Sequence, residues 1–598
     1  MQKPKYSVNQ HLIETVLAWT KSGEIAIPEI QRPFVWETSR VRDLIDSLYR
    51  GYPVGYLIAW KNPNVRLKDG TYSEGKKVLI DGQQRVTAMG AAILGMQVIN
   101  KEYKRTRIKI AFHPVREEFE VQTAVMLKDP LWIPDIAEVF GAHAHSYSMI
   151  RNYLANNPGV GQEKVIDAIN NLFSLSKRQI GMIDLEADLD IETVTEIFIR
   201  INSQGVILSQ ADFAMSKIAA SEQFDGPNLR KAIDYFCHLA AVPDFYNHIV
   251  DVDKEFTTTD YFSRMSWLRK ETEDLYDPDY SDMLRVAFTT EFHRGKLSDL
   301  VSLLSGRNFE TRVFEESIAE ESFRRLKDGI FTFMNETSFN RFIMIIKSAG
   351  FIAPWMIRSK NALNFAYILY LTLKKQGQSP ALIETYVRRW FTMSILTSRY
   401  SSSPESTMDY DIKRISELSF DSYFKTIEDG NLSDAYWTVT LPQALETPVT
   451  SAPVFHVYLA AQVKQNDKGF LSKDITVNHL ITNAGDVHHL FPKNYLKKNN
   501  LGRSQYNQVA NFVYMQSEIN IKVGDKSPSV YFNELKEQAN NGGLKYGGIR
   551  TIKELLDNLH QNAIPESIFD MSIDDYRYFL VERRALMASK IKDYYQSL

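Results

Sequence analysis

Residues 486–492 read Asp-Val-His-His-Leu-Phe-Pro, and residues 511–520 read Asn-Phe-Val-Tyr-Met-Gln-Ser-Glu-Ile-Asn. Neighbouring residues on an extended strand point to opposite faces, so His488 and His489 can take different jobs without competing for one position. The Phe491-Pro492 turn ends that strand. Asn511 to Met515 reads as the returning strand, and Asn520 lies just beyond it. The pattern predicts a β-hairpin leading into a helix, with both histidines and both asparagines carried on its elements.

That set of side chains suits one-metal hydrolysis of a phosphodiester. The reaction needs an activated water and a cation that neutralises charge on the phosphate and the leaving oxygen. A histidine near its natural pKa is a suitable base at neutral pH. One imidazole can hold a metal while its neighbour activates water, with one amide orienting the base and another completing the metal site. With only 12 histidines in 598 residues, an adjacent pair stands out. Taken singly each piece is ordinary; their order gives them meaning. His479 is expected to be an ordinary surface or packing residue.

The rest of the chain frames this segment. Its length predicts two to four domains. Hydrophobic content of 44%, charged content of 24% and aromatic content of 12% argue for packed cores rather than disorder. The single cysteine, Cys237, excludes an intramolecular disulfide and a cysteine-based zinc site, and fits a reducing cytoplasm. No signal peptide and no membrane span are expected. Net charge is −3, but residues 451–598 carry about +3 and the remainder about −6, an asymmetry that permits nucleic-acid binding by the C-terminal part.

Residues 1–220 read as mixed α/β. A helix is expected over Asn9 to Ser22, a short extended stretch at Ile25 to Pro28, and a helix from Thr38 or Ser39 to Gly51 that presents Val41, Leu44, Ile45 and Leu48. Strands are expected at Gly55 to Trp60, Lys77 to Ile80 and Arg107 to Phe112. A helix from Glu192 stops at Asn202-Ser203-Gln204-Gly205, and the next opens at Ser209 with Asp212 at capping-box spacing. Residues 221–430 form a helical middle region, 431–453 a Thr/Ser/Pro-rich linker, and 454–598 an α domain with a little β. The second of those strands runs into Asp81-Gly82-Gln83-Gln84-Arg85 at a helix start. Unpaired first-turn amides, the helix dipole, a glycine and the planar fork of Arg85 together suit a phosphate-bearing ligand. No Gly-x-x-x-x-Gly-Lys-Ser/Thr sequence is present, so a conventional P-loop is absent.

Gln31-Arg32-Pro33-x-x-Trp36, then Asp81 to Arg85, then Phe198 to Gly205 and Leu208 to Asp212 resemble the DUF262 family over roughly residues 10–220. Arg399 to Ser406 is similar to a later segment of the same proteins. The resemblance implies a ParB/sulfiredoxin-like α/β domain that binds and hydrolyses a nucleoside triphosphate. Its nucleotide-binding candidates are Gln31, Arg32, Asp81, Gly82, Gln83, Gln84, Arg85 and Asn202. The histidine–asparagine pattern resembles the DUF1524 branch of HNH nucleases over roughly residues 455–590, which implies a ββα-metal fold. By that likeness His489 is the general base, Asn511 steadies the active-site loop and base, and His488 and Asn520 hold a divalent metal (Mg2+, Mn2+ or a softer transition metal). Many relatives carry Asp or Glu at the position of His488, so Asp486 is a candidate substitute ligand. Lys522 and Lys526 are weaker candidates for phosphate contacts.

The two domains in one multidomain α+β chain resemble the GmrSD family of type IV restriction enzymes. The likeness implies a nucleotide-regulated, metal-dependent endonuclease acting on double-stranded, base-modified phage DNA in the cytoplasm. A homodimer would supply the two nicking sites that a double-strand break needs. The alternative is a nucleotide-hydrolysing regulatory protein that binds DNA without cutting it.

Overall fold

The computed structural model describes residues 5–26, 36–61, 77–99, 105–141, 145–186, 189, 197, 209–219, 221–271, 274–417, 419–483, 485 and 487–598. Gln31, Arg32, Asn202 and Asp486, and nearly all of the helix expected from Glu192, lie outside them. The chain is multidomain and α+β, mostly helical with small sheets. It divides into two compact units, Met1–Glu271 with Leu304–Glu320, and Thr272–Leu303 with Glu321–Leu598. Among the described residues no helix is long and apolar enough to cross a membrane.

The first unit is built on a five-stranded sheet. Its strands are β1 (Tyr6–Leu12), β2 (Ile25–Ala26), β3 (Tyr56–Lys61), β4 (Lys77–Asp81) and, after β5 (Gln97–Ile99), β6 (Arg105–Arg107), β7 (Ile110–His113) and β8 (Glu118–Val121), the long strand β9 (Gln179–Leu185). The order is β1-β9-β3-β4-β2. β1 runs antiparallel to β9, β3 parallel to β9 and antiparallel to β4, and β2 parallel to β4. Strand β3 is apolar on both faces, as a fully covered central strand should be. Leu57 and Ala59 join a core with Val16, Leu17, Val41, Ile45 and Met89 from the helices Ile13–Ser22, Thr38–Tyr49 and Gln83–Ile93, while Ile58 and Trp60 pack with Leu185 and Leu189.

The helix expected from Asn9 begins only at Ile13, because Tyr6 to Leu12 pair with Leu185 to Gln179. Cross-strand pairing with a distant segment outweighs local helical period. The strand expected over Arg107 to Phe112 is broken: Arg107 closes β6 while Ile110 opens β7 in a separate two-stranded sheet. At the break, Arg107 donates to the Ala91 carbonyl (2.8 Å) and to Asp135 (2.9 Å). The capping box is present, with Ser209 N donating to Asp212 Oδ2 (3.0 Å) and Asp212 N to Ser209 Oγ (3.2 Å).

Among its described residues the second unit is helical apart from one small hairpin of β10 (Val487–His489) and β11 (Phe512–Tyr514). Helices Lys360–Lys375 and Pro380–Leu396 fall where their periodicity predicts. The stretch expected as a linker at 431–453 instead carries a π-helical turn, Tyr436–Thr440, and a short helix, Leu441–Ala444. Leu432, Trp437, Leu441 and Leu445 are buried there, and burial of those side chains holds a polar-looking segment in place. Arg583, fully buried on the C-terminal helix Tyr576–Ser597, donates to the Ala510 carbonyl (2.8 Å) just before β11.

Candidate functional sites

The hairpin pairs antiparallel, with Val487 opposite Tyr514, His488 opposite Val513 and His489 opposite Phe512. The expected returning strand and following helix are both present, the latter as Ser517–Val523. Phe491 ends the strand by burying its ring against Tyr576 (5.0 Å) and Phe579 (4.9 Å). The Leu490 carbonyl is held by the Tyr531 hydroxyl at 2.8 Å. Pro492 then caps a short helix, Lys493–Lys498, where a residue without an N–H loses nothing.

A cleft of about 390 Å³ opens beside this hairpin. It is lined by His488 and His489 from β10, Asn520 from the helix after β11, and Pro492, Lys493, Asn494, Lys497 and Gly524. Three of the four residues expected at the C-terminal site therefore share one cavity. His489 sits edge-on to Phe512 (5.0 Å), and its Nε2 lies 3.0 Å from Asn507 Oδ1. An amide oxygen accepts, so Nε2 carries the proton and Nδ1 keeps its lone pair. Burial lowers the His489 pKa; the bond to Asn507 works the other way, while Lys493 and His488 add to the lowering. The lowering favours the neutral imidazole at neutral pH.

Asn511 takes a different place from the one expected of a residue that touches the base. It is fully buried. Its Oδ1 accepts from Phe491 N (2.8 Å), and its Nδ2 donates to the carbonyls of Phe491 (3.1 Å) and Tyr506 (3.3 Å). Asn511 braces the loop that follows β10, and Asn507 is the amide on the histidine ring. Sequence reasoning missed Asn507, Lys493 and Lys497. The lysines had a legible signal, since positions four apart on a helix share a face. Of the weaker lysine candidates, Lys526 is engaged by Glu534 (2.7 Å) and the Tyr546 hydroxyl (2.6 Å), and Lys522 is exposed.

At the N-terminal turn, Asp81 closes β4 and Gly82 precedes the helix Gln83–Ile93 with φ +92°. A Cβ at Gly82 would stand 2.4 Å from Leu57 Cδ2, so the turn requires glycine by backbone angle and by space. Arg85 reaches back to the end of β4 and across to the start of β3. It donates to Asp81 Oδ2 (2.7 Å) and to the carbonyls of Tyr56 (2.8 Å) and Val54 (3.2 Å). Gly55 leaves room for that guanidinium, because a Cβ there would lie 2.6 Å from Arg85 Nη1. Asp81, Gly82, Gln83, Gln84 and Arg85 are contiguous at the C-terminal end of β4, with the Asp81 carboxylate fixed by Arg85.

These two arrangements belong to different units, a strand-to-helix turn under a mixed sheet and a histidine-bearing hairpin beside a cleft. Residues 13–219 match the family model described as the GmrSD restriction endonuclease N-terminal domain, which covers the first arrangement. Over nearly its whole length the chain is also similar to an uncharacterized protein of Methanocaldococcus jannaschii. The two are 22% identical over 588 aligned residues, which cover 92% of this chain and 90% of that protein.

Proposed function

We propose that this chain is a restriction endonuclease that hydrolyses DNA phosphodiesters at the His488–His489 cleft, under control of a nucleotide bound by the N-terminal domain. The observation that carries the reading is the convergence of His488, His489 and Asn520 on one cleft, with Asn507 holding the His489 ring. The N-terminal family match supports restriction as the context and DNA as the substrate.

His489 Nδ1 accepts a proton from the attacking water, and Asn507 fixes the tautomer that leaves Nδ1 able to do so. Phe512 and Tyr506 flank the imidazole and limit its rotation. Asn511 holds the Phe491 loop, and with it the exit of β10. His488 supplies one imidazole nitrogen and Asn520 one amide oxygen for a divalent cation. Among the described residues no group of three His, Cys, Asp or Glu could hold a metal, so the protein donors are few. Such a set fits an ion that completes its shell with water and substrate phosphate oxygens. When bound, that ion supplies neutralisation of charge on the phosphate and the leaving oxygen. In the N-terminal unit, Arg85 holds Asp81 in position, and Asp81 orients a water or a metal-bound triphosphate beside the first-turn amides. Base modification of the DNA, action in the cytoplasm and a homodimer for double-strand breaks complete the reading.

Nicking of supercoiled plasmid in the presence of a divalent metal tests it. Wild type should nick, and His489→Ala should lose at least about 100-fold in rate, the lower range of general-base assistance. Equal nicking by both proteins rejects His489 as the base. Nucleotide hydrolysis should be lost in Asp81→Ala; hydrolysis equal to wild type rejects the N-terminal site.

A further inference from the structure

The cleft beside β10 has a charge pattern that the hydrolytic residues leave unexplained. Lys493 and Lys497 stand one turn apart on the helix Lys493–Lys498, and both line the cleft. Both ammonium groups lie over the ring of Tyr506, at 5.8 Å and 5.7 Å from its centre. Tyr506 in turn stands edge-on to His489 at 6.2 Å. Among the described residues no Asp or Glu lines the cleft, and neither lysine is in an ion pair; the neighbouring Lys498, which does not line it, is paired with Asp525. Like charges one turn apart repel, which works against the cation–π contacts that each makes with Tyr506. A site that concentrates positive charge against a low-dielectric wall attracts an anion.

Resting on the nuclease reading above, we propose that Lys493 and Lys497 hold backbone phosphates of the DNA strand on one side of the scissile bond. The strand would then run along the helix Lys493–Lys498 and past Tyr506 towards His489. One helical turn, about 5.4 Å, is of the order of the spacing between successive phosphates. Asn494, on the same helix and in the same cleft, adds an amide without sign preference. A lysine is a compact point charge that fits a phosphate without demanding one geometry. These are therefore positioning residues and carry no base specificity.

The test measures binding and cleavage separately on the full-length protein. A short fluorescein-labelled duplex is titrated by anisotropy in EDTA, between about 50 and 200 mM salt. Lys493→Gln and Lys497→Gln should each reduce the slope of log affinity against log salt by about 1, and the double variant by about 2. Lys497→Arg should keep the slope. Lys425→Gln, an exposed lysine outside the cleft, should leave it unchanged. In the nicking assay the Gln variants should raise KM and leave kcat near wild type. Both lysines are exposed, so the substitutions leave the core untouched. Wild-type slopes in both Gln variants overturn the proposal, as does a wild-type protein that binds no duplex. A protein that never nicks, yet whose salt slope depends on both lysines, would reject the nuclease reading and leave the strand path standing. His489→Ala with a wild-type slope and no nicking is the outcome expected if both hold.

Discussion

Removing each of two asparagines should separate loop support from base orientation. Asn511→Ala removes the partner of Phe491 N, which donates at 2.8 Å, and of the Phe491 carbonyl, which accepts at 3.1 Å, inside a fully buried site. Each buried group left without a partner costs about 1–3 kcal/mol. The Tyr506 carbonyl keeps the Tyr576 hydroxyl at 3.5 Å, so it adds little. The expected loss is about 3 kcal/mol, enough to lower the melting temperature of the C-terminal unit by several degrees. Asn507→Ala removes one neutral bond at a half-buried position. Its stability change should stay within about 1 kcal/mol, but kcat for nicking should fall about tenfold, the equivalent of about 1.4 kcal/mol in the barrier. Calorimetry of both variants beside nicking rates reads the two effects independently. An Asn511→Ala protein that melts with wild type, or an Asn507→Ala protein with undiminished kcat, would refute the division of labour.

Gly82→Ala should destabilise the N-terminal unit by about 2–4 kcal/mol, since φ of +92° and a Cβ 2.4 Å from Leu57 Cδ2 combine backbone strain with overpacking; unchanged hydrogen-exchange protection of the β3 and β4 amides would contradict this. Burial of the Glu534 carboxyl opposes ionisation, but Lys526, Lys545 and the Tyr546 hydroxyl together hold its pKa down to about 2 from 4.5. A lowered carboxylate pKa stabilises the fold above the unfolded value, so the melting-temperature gap between wild type and Glu534→Gln should be constant above pH 4.5 and shrink as pH falls towards 2. A gap that stays constant down to pH 3 would remove the network's role.

Much of the hairpin that carries the candidate C-terminal site was legible because its signal is local. Two strands, a Phe-Pro stop and a helix within 40 residues need no distant information, and β10, β11 and Ser517–Val523 fall where the alternation predicts. Strands β3 and β4 were legible for the same reason, as short apolar runs, the second ending at the Asp81-Gly82 turn. What failed depends on distant partners. Asn9 to Leu12 continue a helical period on paper, yet their amides are claimed by β9, some 170 residues away. The polar composition of 431–453 hid the few apolar side chains that anchor it. Asn507, between Tyr506 and Gln508, sits in no periodic pattern, and only the folded loop brings it under His489.

Arg85 shows how a side chain can be given too simple a role. Its position four residues after Asp81 favours an ion pair as much as a phosphate fork, and the folded turn uses the pairing at 2.7 Å while spending further donors on Tyr56 and Val54. A guanidinium already bonded to the ends of two strands is a poor first contact for an anion, but a good device for presenting a carboxylate. In the other unit, Lys493 and Lys497 line a cleft where no described carboxylate stands to neutralise them, which is why the proposed phosphate contacts are placed there. Two phosphate-handling sites in one chain would then work by opposite means. On the proposed reading, the N-terminal turn presents an arginine-fixed acid, suited to a nucleotide that brings its own metal. The C-terminal cleft presents exposed ammonium groups beside a neutral histidine, which on the proposed reading suits a long polyanion.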